Sequence, residues 1–178
     1  VEYWTNHEAV ETEELPRSLA VLGGGAVGVE LAQVFARFGS KVTVVEQSER
    51  LLPPEEPEAG ALIAEVFARE GIDVRTGVGA RSVARAADGI EVELDAGPPL
   101  RAERLLVATG RRTDLARLGV ASVGIDERSH SVPVDDRLRA ADRLWAIGDV
   151  TGLGPFTHIA VYQARIAAAD ILGEDAPP

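Results

Sequence analysis

The chain contains no cysteine and no methionine, one lysine and three histidines in 178 residues. Without cysteine there is no disulfide framework, no thiolate nucleophile and no zinc–thiolate site, and three widely spaced histidines argue against a metal site. Redox chemistry on this chain therefore needs a borrowed cofactor. Uncharged apolar runs are far too short to cross a bilayer, and the first residues, VEYWTNHEAV, have neither a basic n-region nor an apolar h-region. The expected location is cytoplasmic, with no membrane partner. A formal net charge of −11 repels a polyanion, so no nucleic-acid partner is expected, although local dipoles can still hold a small anionic ligand. The missing methionine, including an initiator, suggests a piece of a longer protein.

An apolar fraction of 46% suits a soluble globular chain with one good core or two small ones. Residues 1–17 are mixed and polar and read as a linker or the tail of a preceding domain, with regular structure beginning after Pro16. Ser18 to Leu22 is an apolar run stopped by glycines, as a buried parallel strand would be. Val27, Leu31, Val34, Phe35 and Phe38 then recur at helical spacing, and Gly39 is placed to end that helix in a left-handed turn. Lys41 to Glu46 is a second strand, completing a βαβ unit. After the loop LLPPEEPE, Pro57 opens a helix to about Glu70, Gly71 closes it, and Ile72 to Arg75 is a third strand. The pattern then changes to hairpins: Arg81 to Ala86 and Ile90 to Leu94 flank an Asp88-Gly89 turn. Leu105 to Ala108 is a final buried strand. Signals weaken from Arg111 to Arg143, where Ser131 to Val134 is strand-like. They recover at the strand Leu144 to Ile147, which leads through glycines to a last helix, about Thr157 to Leu172, with Ile159, Tyr162 and Ile166 on one face and Gly173 at its end.

The stretch AVLGGGAVGVE holds the chemistry of the first half. Gly23 permits a tight turn, Gly25 removes a side chain so that backbone can approach a pyrophosphate, and Gly28 lets the helix pack close to the strand; Ala26 and Val27 lie between them in the same turn. The helix N-terminus adds unpaired N–H groups and a partial positive charge. Glu46, about 20 residues on at the end of the second strand, can accept hydrogen bonds from ribose hydroxyls and would repel a 2′-phosphate, so NAD is favoured over NADP. The competing reading of Glu46 is a solvated strand end. Arg50, four residues on, could in principle reach a phosphate and leave dual use open. Glu30 reads equally as a first-turn acid favoured by the helix dipole or as a functional carboxylate.

WAIGDV followed by TGLGPFTHIAVYQARIAA, together with LLVATGRR and the glycine motif, resembles the pyridine nucleotide–disulfide oxidoreductases, the flavoprotein family of dihydrolipoyl dehydrogenase, glutathione reductase and mercuric reductase. The resemblance covers essentially the whole chain. It implies a Rossmann-like α/β fold, a parallel sheet with βαβ units plus a three-stranded antiparallel meander. It further implies a connecting segment over 1–17, an NAD(H)-binding domain over 18–110 and the C-terminal half of a discontinuous FAD-binding domain over 111–178. The first FAD half, with its cysteine pair, and an interface domain would lie outside this chain, and the complete protein would be a homodimer. By the same resemblance Gly148 and Asp149 would contact the ribityl chain of FAD, and Thr157, between Phe156 and His158, would present backbone N–H to the flavin. Gly110 would pass the nicotinamide nucleotide, Ala80 would lie by the adenine, and Glu30 would meet the nicotinamide end. No catalytic residue is assigned here beyond that contact, and no metal. The family's GRRPN appears as Gly110-Arg111-Arg112-Thr113-Asp114, which leaves the path of this crossover open. The implied function is hydride transfer from NADH to FAD and on to a disulfide or related acceptor; the alternatives are an NAD-binding module without turnover, or a flavin-independent NAD dehydrogenase. Without its other half, the FAD-type segment should expose apolar surface on Leu144 to Ile147 and on the last helix.

Overall fold

The computed structural model describes residues 1–111 and 113–174, in two compact units, Val1–Gly110 and Arg111–Pro178. The crossover residue Arg112 lies outside the described residues.

In the first unit, β1 (Ser18–Leu22), β2 (Lys41–Val45), β3 (Asp73–Arg75) and β7 (Arg104–Val107) form a parallel sheet in the order β3-β2-β1-β7. Both faces are covered, which is why β1 and β2 read as nearly unbroken apolar runs. Alternate residues Leu19, Val21, Val42, Val44 and Leu106 pack against α2 (Ala26–Phe38) and α3 (Pro57–Arg69), through Val29, Ala32, Phe35 and Phe67. The intervening Ala20, Leu22, Val45 and Leu105 pack on an antiparallel meander of β4 (Ala80–Ala86), β5 (Gly89–Leu94) and β6 (Leu100–Ala102). The parallel sheet, the βαβ units and the three-stranded meander are those expected.

Several local expectations are corrected. Regular structure begins before Pro16, not after it: α1 (Asn6–Glu11) opens on a capping box between Thr5 and Glu8. Trp4 forms a parallel bridge with Leu106, donating to the Leu105 carbonyl and accepting from Val107 N–H, so one residue satisfies the outer edge of β7. The hairpin turn is Ala87-Asp88, one residue earlier than expected, because Ala86 pairs with Gly89 and a side chain on Gly89 would strike the Ala102 carbonyl. In α2 the face turned inward is Gly28, Val29, Ala32 and Phe35, whereas Val34 and Phe38 are exposed. Gly39 does end this helix, at φ 110°.

In the second unit, α4 (Leu115–Leu118) and a 3-10 turn (Val120–Val123) precede a hairpin of β8 (Arg139–Ala141) and β9 (Leu144–Trp145). Ser131 to Val134 is not a strand, and Ile147 lies beyond β9. The small apolar cluster is built on Leu115, Val120, Ile125 and Val132. α5 (Thr157–Leu172) has the expected limits but not the expected inward face: Tyr162 is exposed, and the buried positions are Gln163, Ala167, Ala169 and Asp170. Polar side chains anchor this helix. Gln163 accepts from Gly148 N–H, and Asp170, its side chain 1% exposed, accepts from both Arg137 and Arg139 and from the Trp145 indole. Val161, Tyr162, Ile171 and Leu172 of α5 are exposed, as expected there, whereas of Leu144 to Ile147 only Ile147 is exposed, Leu144 and Ala146 being half-buried against the apolar cluster.

Candidate functional site

The carboxyl ends of β1 and β2 build the candidate dinucleotide site, the position where open α/β sheets bind ligands. Gly23 leaves β1 at φ 108°, and its N–H donates to the Val45 carbonyl. A Cβ here would lie 2.3 Å from the Ala108 carbonyl oxygen, so the turn needs glycine for both conformation and space. Gly28 needs it for packing alone: its Cβ would lie 2.0 Å from the Gly23 carbonyl oxygen. Gly25 is different. Its φ of −75° suits any residue, and a Cβ would meet nothing within 4 Å. That open space lies where backbone could approach a phosphate. α2 starts at Ala26 and Val27 with no side-chain cap on its N-terminus, leaving first-turn N–H groups available to an anion.

Glu46 is not a solvated strand end. It is buried, and its carboxylate bridges two backbone amides, accepting from Gly24 N–H at 2.6 Å and from Ser48 N–H at 2.7 Å. The acid and the glycine turn thus form one hydrogen-bonded unit. Arg50, beside the same turn, spends three of its five guanidinium N–H groups on main chain, donating to the carbonyls of Leu52, Pro53 and Glu55. The segment around Ala80 runs beside Glu46, because Gly77 N–H donates to Ser48 and Val78 N–H to the Glu46 carbonyl; Ala80 itself is exposed at the start of β4. Gly110, at φ 132° with open space around a Cβ, lies two residues after Ala108, whose N–H donates to the Leu22 carbonyl. Glu30 is exposed and is the fifth residue of α2, beyond the first turn, so the helix dipole does not account for it. Two clefts of about 340 and 380 Å³ lie elsewhere; the second is lined by Ser18, Lys41 and Asp73, the opening residues of β1, β2 and β3. Neither touches the glycine turn.

In the second unit, Gly148, at φ 77°, and Asp149 open a 3-10 turn after β9. Asp149 is half exposed and pairs with Arg111 through Oδ2 at 2.7 Å, leaving Oδ1 without a partner among the described residues. Phe156 is the N-cap of α5 and no side chain caps the helix, so Thr157 is its first residue and presents an uncapped N–H. His158 is exposed and stacks on Phe156 at 5.5 Å. Gly24 and Ser48 in the first unit, and Gln163 in the second, touch the candidate site residues in ways that periodicity does not reveal. The S/T-x-x-E pattern Thr5 to Glu8 was the one legible signal for the unexpected first helix.

This is the geometry of a Rossmann-like dinucleotide-binding protein. Residues 1–164 match the family model for pyridine nucleotide-disulphide oxidoreductase, and the chain belongs to that family. It is 43% identical, over 97% of its length, to mercuric reductase of Streptomyces lividans, and 38% identical, over 98%, to dihydrolipoyl dehydrogenase of Chlorobaculum tepidum. It superposes on the HOCl-induced flavoprotein disulfide reductase RclA of Escherichia coli with TM-score 0.88 at 34% identity, covering 98% of this chain and 40% of that one. The chain spans 37% and 38% of the two curated relatives' lengths.

Proposed function

We propose that this chain carries the NADH-binding part of an FAD-dependent oxidoreductase. The observation that carries the reading is the unit formed by the glycine turn and the Glu46 carboxylate, beside an uncapped helix N-terminus and an open space at Gly25. These residues fit a dinucleotide: first-turn N–H groups of α2 hold the pyrophosphate, and Glu46 receives the ribose hydroxyls on lone pairs its two amide donors leave unused. The choice of NADH over NADPH rests on the same carboxylate, since a 2′-phosphate of about −2 charge would approach a buried anion.

In the second unit, Asp149 Oδ1 and the uncapped start of α5 at Thr157 suit the ribityl hydroxyls and the flavin C2 carbonyl edge. When bound, NADH supplies hydride and FAD passes its two electrons to a disulfide or related acceptor. No residue of this chain is a thiol, so the chain's own share is to bind and orient the nucleotides. The names of the relatives, mercuric reductase and dihydrolipoyl dehydrogenase, are compatible with that role.

The experiment is calorimetric titration of the chain and of Glu46→Ala with NADH and NADPH. The wild type is expected to bind NADH more tightly, and the variant to lose about tenfold in NADH affinity and most of its discrimination, as removal of charge-assisted hydrogen bonds predicts. Tighter NADPH binding by the wild type would overturn the role given to Glu46.

A further inference from the structure

Arg50 lies in a proline-rich loop, half-buried, with all its hydrogen bonds spent on main chain. Its Nη1 donates to the Leu52 carbonyl at 2.9 Å, and its Nη2 to those of Pro53 and Glu55, both at 2.8 Å. Leu52 is held in the left-handed region at φ 51°, unusual for a leucine, and so needs its surroundings to fix it. The purpose of that conformation is visible on its other side. Leu52 N–H donates to the Gly24 carbonyl at 2.8 Å, while Gly24 N–H donates to Glu46. The neighbouring Leu51 is 1% exposed, and its side chain occupies the space a Cβ on Gly24 would need. The carbonyl of Leu51 similarly fills the space beside Gly60 in α3. The loop is wedged between two glycines, one of them at the centre of the nucleotide turn.

We propose that Arg50 is a positioning residue for dinucleotide binding: it clamps 52–55, which fixes the Gly24 carbonyl and thereby sets the glycine turn before ligand arrives. The proposal rests on the reading of that turn as the dinucleotide site. It differs from a direct phosphate contact in what Arg50 affects. A clamp acts on the turn shared by NADH and NADPH, whereas a ligand of the 2′-phosphate would act on NADPH alone. A five-donor fork can meet three carbonyls at once, and an ammonium cannot keep the same set.

The test combines amide hydrogen exchange without nucleotide and calorimetry with NADH and NADPH, on the wild type, Arg50→Ala and Arg50→Lys, each confirmed folded by near-UV circular dichroism. Expected are at least about tenfold faster exchange at the Leu52 amide in both variants, about tenfold weaker NADH binding, and an NADPH-to-NADH ratio unchanged within about threefold. Arg50→Lys keeps the charge, so a loss in that variant too separates the clamp from simple electrostatic attraction. Unchanged NADH affinity in both variants, or a loss confined to NADPH, would overturn the positioning role. Wild-type chain that binds neither dinucleotide would overturn the underlying site reading instead, whatever the exchange rates.

Discussion

Gly25→Ala and Gly28→Ala, three residues apart in one motif, are expected to fail in opposite ways. At Gly28 the added methyl meets the Gly23 carbonyl oxygen at 2.0 Å, backbone against helix, with no flexible side chain to yield. The variant should lose at least about 3 kcal/mol, the upper range for overpacking, and melt roughly 10 °C lower or fail to fold. At Gly25 the backbone is extended and the space is open, so alanine is tolerated and should raise stability slightly by restricting the unfolded chain. In the proposed site, however, its methyl stands where the pyrophosphate would approach the N–H groups of α2. Losing one charge-assisted contact predicts a fall in NADH affinity of about tenfold to a hundredfold. Thermal melts and calorimetry on the two variants give the comparison. A Gly25→Ala chain that binds NADH like the wild type would mean that this space is not used by the ligand.

The second large effect lies in the other unit. Asp170→Ala removes the acceptor shared by Arg137, Arg139 and Trp145, leaving two half-exposed guanidinium groups and an indole N–H without their common partner. No residue of α5 belongs to the apolar cluster on Leu115, Val120, Ile125 and Val132, so the helix is left with the Gln163 bond to Gly148 and its buried alanines. The variant should melt roughly 10 °C lower in the transition that involves α5. The pH dependence is specific. Hydrogen bonding from Arg139, then from Trp145 and Arg137, outweighs burial and pulls the Asp170 carboxyl from 3.8 down to about 2. A carboxyl whose folded pKa is depressed stabilises the fold fully above its unfolded value and loses that contribution as pH falls toward the folded one. Wild-type stability should therefore fall between about pH 4 and pH 2, and Asp170→Asn should flatten that part of the profile. Equal acid sensitivity in wild type and Asp170→Asn would contradict this account of how α5 is held.

What the sequence disclosed follows from which forces hold each part. β1, α2 and β2 are legible because the strands are buried on both faces and the glycines have individual local reasons. The helix face within α2 is harder: Val34 and Phe38 carry the apolar signal but stay exposed, whereas Gly28 and Ala32, with almost no such signal, allow the close approach that packs the helix. Trp4 was hidden because its partner is a strand edge a hundred residues away. In the second unit the limits of α5 were legible from Gly173 and the preceding glycines, yet its buried face was not, since Gln163 and Asp170 read as surface residues until their partners are placed. Arg50 is the same lesson at the site. An arginine near a nucleotide motif suggests a phosphate, and only the fold reveals that three of its donors go to backbone carbonyls.

The most direct measurement is an amide-resolved NMR titration of the isotopically labelled chain with NADH. The account predicts saturable shifts, largest at Gly24 to Gly28 and at Glu46 to Ser48. Shifts centred instead on Ser18, Lys41 and Asp73, at the opposite end of the sheet, or no shifts at millimolar NADH, would contradict it.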